Sequence, residues 1–124
     1  MLNVADEIDT IQASLLRTLA SPHRLRIVHA LATDAREVAD LARDLRISQS
    51  ATSQHLAAMR AAGLVEPQRE GRTVRYRLSD PEILSACALM REVLVRRLSR
   101  LGDLAAAASE SPRPSISSGP MGHP

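Results

Sequence analysis

A stripe of small, polar, uncharged side chains lies near the middle of this chain. Ser50, Ser53, Gln54 and Ala57 follow the i, i+3, i+4, i+7 spacing that places residues on one face of a helix. Short side chains let a helix approach base edges in the DNA major groove, where Gln pairs with adenine and Ser can donate or accept. No acidic residue occurs in residues 45–65, so no carboxylate there repels phosphate. A solvated helix face rich in Ser and Gln is the competing interpretation.

Two consecutive helices are predicted to position this stripe. Asp34 and Glu37 have the spacing of a capping box at the start of the first helix. Ser48 is predicted to cap the second helix, and Gly63 to end it in the left-handed conformation. Arg46 stands in the connecting bend, where glycine is common. An arginine at this position predicts a looser turn, or it could add a phosphate contact.

A hairpin edged with arginine is predicted directly after the second helix. Val74, Tyr76 and Leu78 alternate with polar residues, which is the period of a half-buried strand, and Glu70-Gly71 is placed at the turn. A hairpin after two such helices is the order of a winged helix, whose wing grips the DNA backbone. An arginine-rich strand edge can also serve solubility alone. The arginines predicted to line the turn and the outer face are Arg69, Arg72, Arg75 and Arg77.

Three segments resemble the ArsR/SmtB family of bacterial winged-helix repressors. They are residues 48–65, 69–78 and 19–31, and the resemblance spans about residues 8–101. It implies a winged helix-turn-helix, mainly α with a small β-hairpin, in the order α-α-α-α-β-β-α. It also implies a homodimer that regulates transcription, as a repressor, at an imperfect palindromic operator in double-stranded DNA. The predicted DNA contacts are Gln49, Ser50, Ser53, Gln54, His55, Arg69, Arg72, Thr73 and Arg75.

Apolar stripes near both ends of the chain predict the dimer interface. A first helix is predicted over residues 3–20, and a last helix from a Ser79–Glu82 capping box to about residue 107. A core of this size cannot cover the whole last helix, so a second copy is expected to do so; packing within one subunit is the alternative. The predicted interface residues are Ile8, Ile11, Leu15, Cys87, Met90, Leu94, Leu98 and Leu101.

Length and charge limit the class of protein. The 124 residues predict one domain over residues 1–108, followed by a tail over 109–124 that is too rich in Ser, Pro and Gly to fold. Residues 17–79 hold eleven Arg against six acidic residues, and this basic excess suits phosphate binding. A single Cys, an acidic N-terminus and no long apolar stretch predict a cytoplasmic protein with no membrane partner.

Catalytic and metal chemistry are not expected. The chain has no Gly-rich phosphate loop and no plausible Ser-His-Asp set, so no enzyme and no cofactor are predicted. Metal sensors of the resembled family carry Cys-x-Cys near what is here 38–41, or His ligands where Val93 and Arg96 stand, so no metal site is predicted. Cys87 lies in an apolar stripe and is predicted to be a small buried hydrophobe, with a redox sensor as the alternative.

Two other functions stay open at this point. One is a metal- or thiol-responsive member of the same family with an atypical sensor site. The other is a winged-helix dimer that binds proteins and not DNA. The effector is open between a small molecule at the dimer interface, oxidation of Cys87, and protein concentration alone.

Overall fold

The computed structural model describes residues 3–110, which form five helices and one antiparallel hairpin of two strands. The described residues divide into two compact units inside the last helix, between Cys87 and Ala88. The order of the elements confirms the predicted winged helix-turn-helix. The elements are α1 (Val4–Leu19), α2 (Pro22–Ala30), α3 (Val38–Leu45), α4 (Gln49–Ala61), β1 (Val65–Glu70), β2 (Thr73–Leu78) and α5 (Glu82–Glu110).

One aliphatic core holds the first unit together. Every helix from α1 to α4 contributes to it, and so do Leu64 and the first residue of β1. The start of α5 is also part of this unit, since Ile83, Leu84 and Cys87 pack against the core. The buried cluster consists of Leu19, Ile27, Val28, Leu31, Leu41, Leu45, Leu56, Met59, Leu64 and Val65.

The predicted capping box at the start of α3 is wrong. The helix begins at Val38, and its N-cap residue Glu37 makes no side-chain capping hydrogen bond. The reason is a distant partner: Arg36 N–H donates to the Tyr76 carbonyl at 2.9 Å, and Tyr76 N–H donates to the Arg36 carbonyl at 2.7 Å. These bonds hold residue 36 in an extended bridge beside β2, so a helix start that includes Asp34 cannot form.

The start of α5 also differs from the prediction. Asp80 Oδ1, not Ser79, accepts the Glu82 N–H at 2.9 Å. The backbone N–H of Ser79 is instead donated to the Leu64 carbonyl at 3.0 Å, which ties the end of β2 to the start of β1. The helix then continues to Glu110, past its predicted end and into the predicted tail. The remainder of that tail, residues 111–124, lies outside the described residues, and within 3–110 no helix is long and apolar enough to cross a membrane.

Both helices of the helix-turn-helix end in the same backbone motif. After α4, the N–H of Leu64 donates to the Met59 carbonyl at 2.9 Å, around Gly63 at φ 78°. After α3, Ile47 N–H donates to the Ala42 carbonyl at 3.2 Å, around Arg46 at φ 59°. This is the Schellman motif, whose left-handed residue is normally glycine. The bend is therefore not loosened by Arg46; the arginine adopts the glycine conformation.

The two left-handed positions predict opposite effects of substitution on stability. Replacing Gly63 with Ala should lower the free energy of unfolding by about 1 kcal/mol. A left-handed residue with a Cβ costs about 1–2 kcal/mol, and part of this cost is offset because Ala has fewer conformations than Gly in the unfolded chain. A Cβ at Gly63 meets no atom within 4 Å, so the loss reports backbone conformation alone. Arg46→Gly should raise the same quantity by about 0.5 kcal/mol. Urea unfolding checks both; a less stable Arg46→Gly protein would show that the arginine side chain contributes more than its strain costs.

Candidate nucleic-acid interface

Helix α4 separates a buried face from an exposed one. Thr52, Leu56 and Met59 are fully buried, and the Thr52 hydroxyl is satisfied by donating to the Ser48 carbonyl at 2.9 Å. The opposite face carries the predicted stripe, and its four residues Ser50, Ser53, Gln54 and Ala57 are exposed. Because Leu56 and Met59 belong to the core, rotation of α4 about its axis would expose them. Packing therefore fixes which side chains the helix presents.

The N-terminus of α4 lies at the end of the stripe where the shortest side chains stand. Ser48 caps the helix as predicted, and its Oγ accepts the Ala51 N–H at 3.0 Å. Gln49 and Ser50 form the exposed first turn. The helix dipole makes this end electropositive, and no acidic residue lies in the first turn to offset it. This end of α4 is therefore suited to approach a polyanion.

The hairpin after α4 has a two-residue turn. Glu70 pairs with Thr73, so Gly71 and Arg72 form the turn, one residue beyond the predicted position, with Gly71 at φ 63°. Positive φ at the first turn residue is typical of type II′ hairpins, which suit the twist of the strands. Arg72 consequently stands at the tip of the wing, where it is exposed.

Bridge residue Arg36 also explains a proline in β1. Pro67 lies opposite Tyr76, whose N–H and C=O both point to Arg36 on the other side of β2. In an antiparallel ladder such a pair is not hydrogen-bonded, so the missing N–H of Pro67 costs no ladder bond. The tyrosine thus faces the proline without breaking the wing.

The strand register divides the wing arginines between two faces. Arg75 lies opposite Gln68 and Arg77 opposite Glu66, on the outer face as predicted, and Arg77 Nε donates to the Glu66 carboxylate at 2.8 Å. Arg69 lies opposite Val74, on the other face, which corrects its predicted placement. Side chains of adjacent strand residues alternate, and 69 differs in parity from the outer positions of β1. Within residues 3–110, no ion pair joins Arg69, Arg72 or Arg75 to a carboxylate, and all three are exposed.

Of the nine predicted contacts, His55 and Thr73 are the two that are half-buried. His55 Nδ1 accepts a hydrogen bond from Arg24 Nε at 3.1 Å, and its ring centroid lies 5.5 Å from that of His23. Burial is the main cause that lowers the pKa of His55, and the charges of Arg24 and His23 add to it. His55 is therefore predominantly neutral at pH 7.

Two arginines near this surface were not predicted from the sequence. Arg60 continues the exposed stripe of α4 from Ser53 and Ala57, and i, i+7 spacing from Ser53 could have found it. Arg24 contacts His55 across 31 residues of sequence, and no local pattern signals that contact.

The predicted interface residues separate into two groups by burial. Leu15 and Cys87 are partly buried against the core of the first unit. On α1, Ile8 and Ile11 are 55% and 67% exposed. On α5, within the second unit, the four other predicted residues are also exposed: Met90, Leu94, Leu98 and Leu101.

The described residues offer few groups that could sense a metal ion or an oxidant. Within residues 3–110 of one chain, no three His, Cys, Asp or Glu side chains come together in a way that could hold a metal ion. Cys87 is a free thiol, half-buried, and burial raises its pKa. A raised pKa leaves little thiolate at neutral pH, and thiolate is the reactive form.

The comparison with known proteins decides the family. Residues 21–67 match the model of the bacterial regulatory proteins of the arsR family. The HTH-type transcriptional regulator Rv0081 of Mycobacterium tuberculosis is 36% identical over 104 residues, which cover 80% of this chain and 91% of that protein. This chain belongs to the arsR family. It is a transcriptional regulator, and its family is not one of enzymes.

Other relatives of this regulator have opposite regulatory effects. The transcriptional activator HlyU of Vibrio cholerae is 39% identical over 79 residues, covering 64% of this chain and 73% of HlyU. The transcriptional repressor SmtB of M. tuberculosis is 45% identical over 74 residues, covering 60% of this chain and 55% of SmtB.

Solved structures of related proteins have a fold similar to that of this regulator. The crystal structure of Rv0081 matches with a TM-score of 0.69 at 35% identity, covering 75% of this chain and 94% of that one. The homodimeric winged helix-turn-helix DNA-binding domain of Mb0332 from Mycobacterium bovis, solved by NMR, matches with a TM-score of 0.73 at 27% identity, covering 81% and 93%.

The burial of Cys87 predicts slow thiol chemistry. At pH 7.5 its alkylation by iodoacetamide should be roughly tenfold slower than that of an exposed thiol, because its raised pKa depletes the thiolate and packing limits access. A Cys87→Ala protein that also carries Ser99→Cys supplies the exposed thiol in the same chain. Mass spectrometry of the alkylated fraction with time gives both rates. Faster alkylation at Cys87 would favour a redox sensor.

Proposed function

We propose that this regulator binds an imperfect palindromic operator as a homodimer and represses transcription by occupying it. The observation that carries the proposal is the uncharged, exposed stripe of α4 followed directly by a wing on which Arg69, Arg72 and Arg75 are exposed and pair with no carboxylate of residues 3–110. The stripe has the hydrogen-bonding groups that base edges require, and the wing has the charge that phosphates require.

Base contact is assigned to the first two turns of α4. Gln49, Ser50, Ser53 and Gln54 are exposed and short enough for the helix to enter the major groove. An amide can pair in bidentate fashion with adenine, whereas a serine hydroxyl tolerates more than one base. The amides of Gln49 and Gln54 therefore have a greater power to discriminate between bases than the two serines. His55 is one of the predicted contacts, and the core side of α4 partly covers it.

Backbone contact is assigned to the wing. Arg72 at the tip, with Arg69 and Arg75 on opposite faces, can straddle a phosphate backbone or enter the minor groove. Thr73, beside the turn, can donate a hydroxyl hydrogen bond to phosphate. Such contacts position the protein and supply affinity without reading sequence.

Dimerisation is assigned to the exposed apolar residues of α1 and α5. On α5, Leu94 and Leu98 are 51% and 67% exposed, and neighbouring apolar residues continue the stripe along the helix. Large exposed apolar stripes mark sites of protein association. A second copy of this chain would cover the stripe, and its two-fold axis would place two recognition helices about 34 Å apart, one turn of DNA. The homodimeric relative Mb0332 supports this assembly.

Repression follows from occupancy alone. A bound dimer can exclude other proteins from the operator without any further surface, whereas activation needs a favourable contact with the transcription machinery. The named relatives include a repressor and an activator, so this part of the proposal rests on the simpler physical requirement. We place the regulator in the cytoplasm, where bacterial operators are accessible.

A division of labour in DNA binding is the first test. Gln54→Ala and Ser53→Ala should each cost about 1–3 kcal/mol on an operator and relax base preference. Arg72→Ala should weaken all sequences alike and reduce the slope of log K against log salt by about 0.9, the value for one lost phosphate contact. Arg77→Ala is the matched control, because Glu66 already engages that arginine. Fluorescence anisotropy on duplexes selected from a random pool measures all four variants.

The same assay can contradict the proposal in two ways. A change in base preference for Arg72→Ala but not for Gln54→Ala would reverse the two roles. Failure of the wild-type protein to select any duplex would favour a winged-helix dimer that binds proteins.

Disruption of the α5 stripe tests the dimer. A protein with Leu94→Glu and Leu98→Glu should be monomeric and should lose operator binding, since burial of two carboxylates in an apolar interface is strongly unfavourable. The control variant carries Ser99→Glu and Ala106→Glu, which add the same charge to α5. At 100° of rotation per residue, both positions lie on a different side of the helix from Leu94 and Leu98. Sedimentation velocity should show dimers for this control. A dimeric Leu94/Leu98 variant would place the interface elsewhere.

A further inference from the structure

Arg24 joins three helices of the first unit. Its backbone N–H donates to Ser21 Oγ at 3.4 Å at the start of α2. Its guanidinium donates through Nη1 to the Thr18 carbonyl at 3.0 Å in the last turn of α1, and through Nε to His55 Nδ1 at 3.1 Å on α4. The side chain is half-buried, so both guanidinium bonds are partly shielded from water.

The bond to His55 exists in one protonation state only. Nδ1 can accept while the ring is neutral, with its proton on Nε2. A second proton converts Nδ1 into a donor that faces the Nε–H of Arg24, so attraction becomes repulsion between two cations. His23 and Arg24, both on α2, are the charged or titratable groups of residues 3–110 that act on His55; no such group of α1, α3 or β1 does so.

The position of His55 connects this contact to base reading. It directly follows Gln54 and precedes the fully buried Leu56. Apolar packing of Leu56 and Met59 fixes the depth of α4 in the core, but such contacts have little directional preference. A hydrogen bond at His55 is directional, and it holds the α4 turn that carries Ser53 and Gln54 against α2.

We propose that Arg24 is a positioning residue for base reading, which orients α4 by its hydrogen bond to neutral His55 and anchors that bond to the end of α1. The proposal rests on the proposed function, because it assumes that α4 reads bases. It makes DNA affinity fall with acidification. A direct contact between His55 and phosphate makes the opposite prediction, since protonation would then strengthen binding.

The test measures DNA affinity at pH 7.5 and pH 5.0 at fixed ionic strength, by fluorescence anisotropy on a duplex that the wild-type protein selects at pH 7.5. The DNA affinity of the wild-type protein should be lower at pH 5.0 than at pH 7.5 by a factor of about five or more. One linked proton can change the affinity by at most about tenfold per pH unit. His55→Asn retains an acceptor near Nδ1 that does not titrate, and it should remove this pH dependence. Circular dichroism at both pH values checks that each protein is folded.

Variants of Arg24 separate positioning from charge. Arg24→Met should weaken binding at pH 7.5 and remove its pH dependence, while the salt slope stays at the wild-type value because no phosphate contact is lost. Arg24→Lys keeps a donor and should restore part of the affinity, and it serves as the second variant if the methionine protein does not fold. Arg26→Met removes an exposed arginine from the same helix and should keep the wild-type pH dependence.

Each outcome decides between the alternatives. Tighter binding at pH 5.0 that His55→Asn abolishes would overturn the proposal in favour of a direct contact. Affinity that is independent of pH, or a salt slope reduced by about 0.9 in Arg24→Met, would overturn it while leaving DNA binding intact. Failure of the wild-type protein to select a duplex at pH 7.5 would overturn the proposed function itself, and the positioning role with it.

Discussion

Burial of one face of α4 is the constraint on which the rest of the interface depends. Leu56 and Met59 are removed from water entirely, and burial of side chains of this size contributes about 1.5–3 kcal/mol each. Any rotation of the helix would expose them, so the face that carries Ser53 and Gln54 stays outside. Thr52 extends the buried face without penalty because its hydroxyl bonds to its own helix. The core thus determines which side chains α4 exposes on the surface that we propose faces DNA.

The wing depends on the same core through its first residues. Leu64 and Val65 are buried directly after the left-handed turn at Gly63, so β1 leaves α4 in a fixed direction. Arg36 then bonds to Tyr76 on the free side of β2. With one strand end in the core and one strand backed by a bridge, the two-residue turn can hold Arg72 at a defined distance from α4.

Local patterns predicted most of this arrangement. The buried and exposed faces of α4, its cap at Ser48 and its end at Gly63 all follow from helical period and capping preference, and all are present. The errors arise from contacts between distant residues. Arg36 bonds across the sequence to Tyr76 and displaces the expected helix start, and Arg24 reaches His55 from another helix. The strand register, which no composition signal contains, decides that Arg69 and Arg75 lie on different faces.

In the proposed complex, two α4 helices of a dimer enter the major groove on one face of an operator. Dimethyl sulfate footprinting tests it directly, because the reagent methylates guanine N7 in that groove. On a selected operator the account predicts two protected clusters related by two-fold symmetry, with centres about 10 base pairs apart. A single protected cluster, or reactivity unchanged by a saturating concentration of protein, would contradict it.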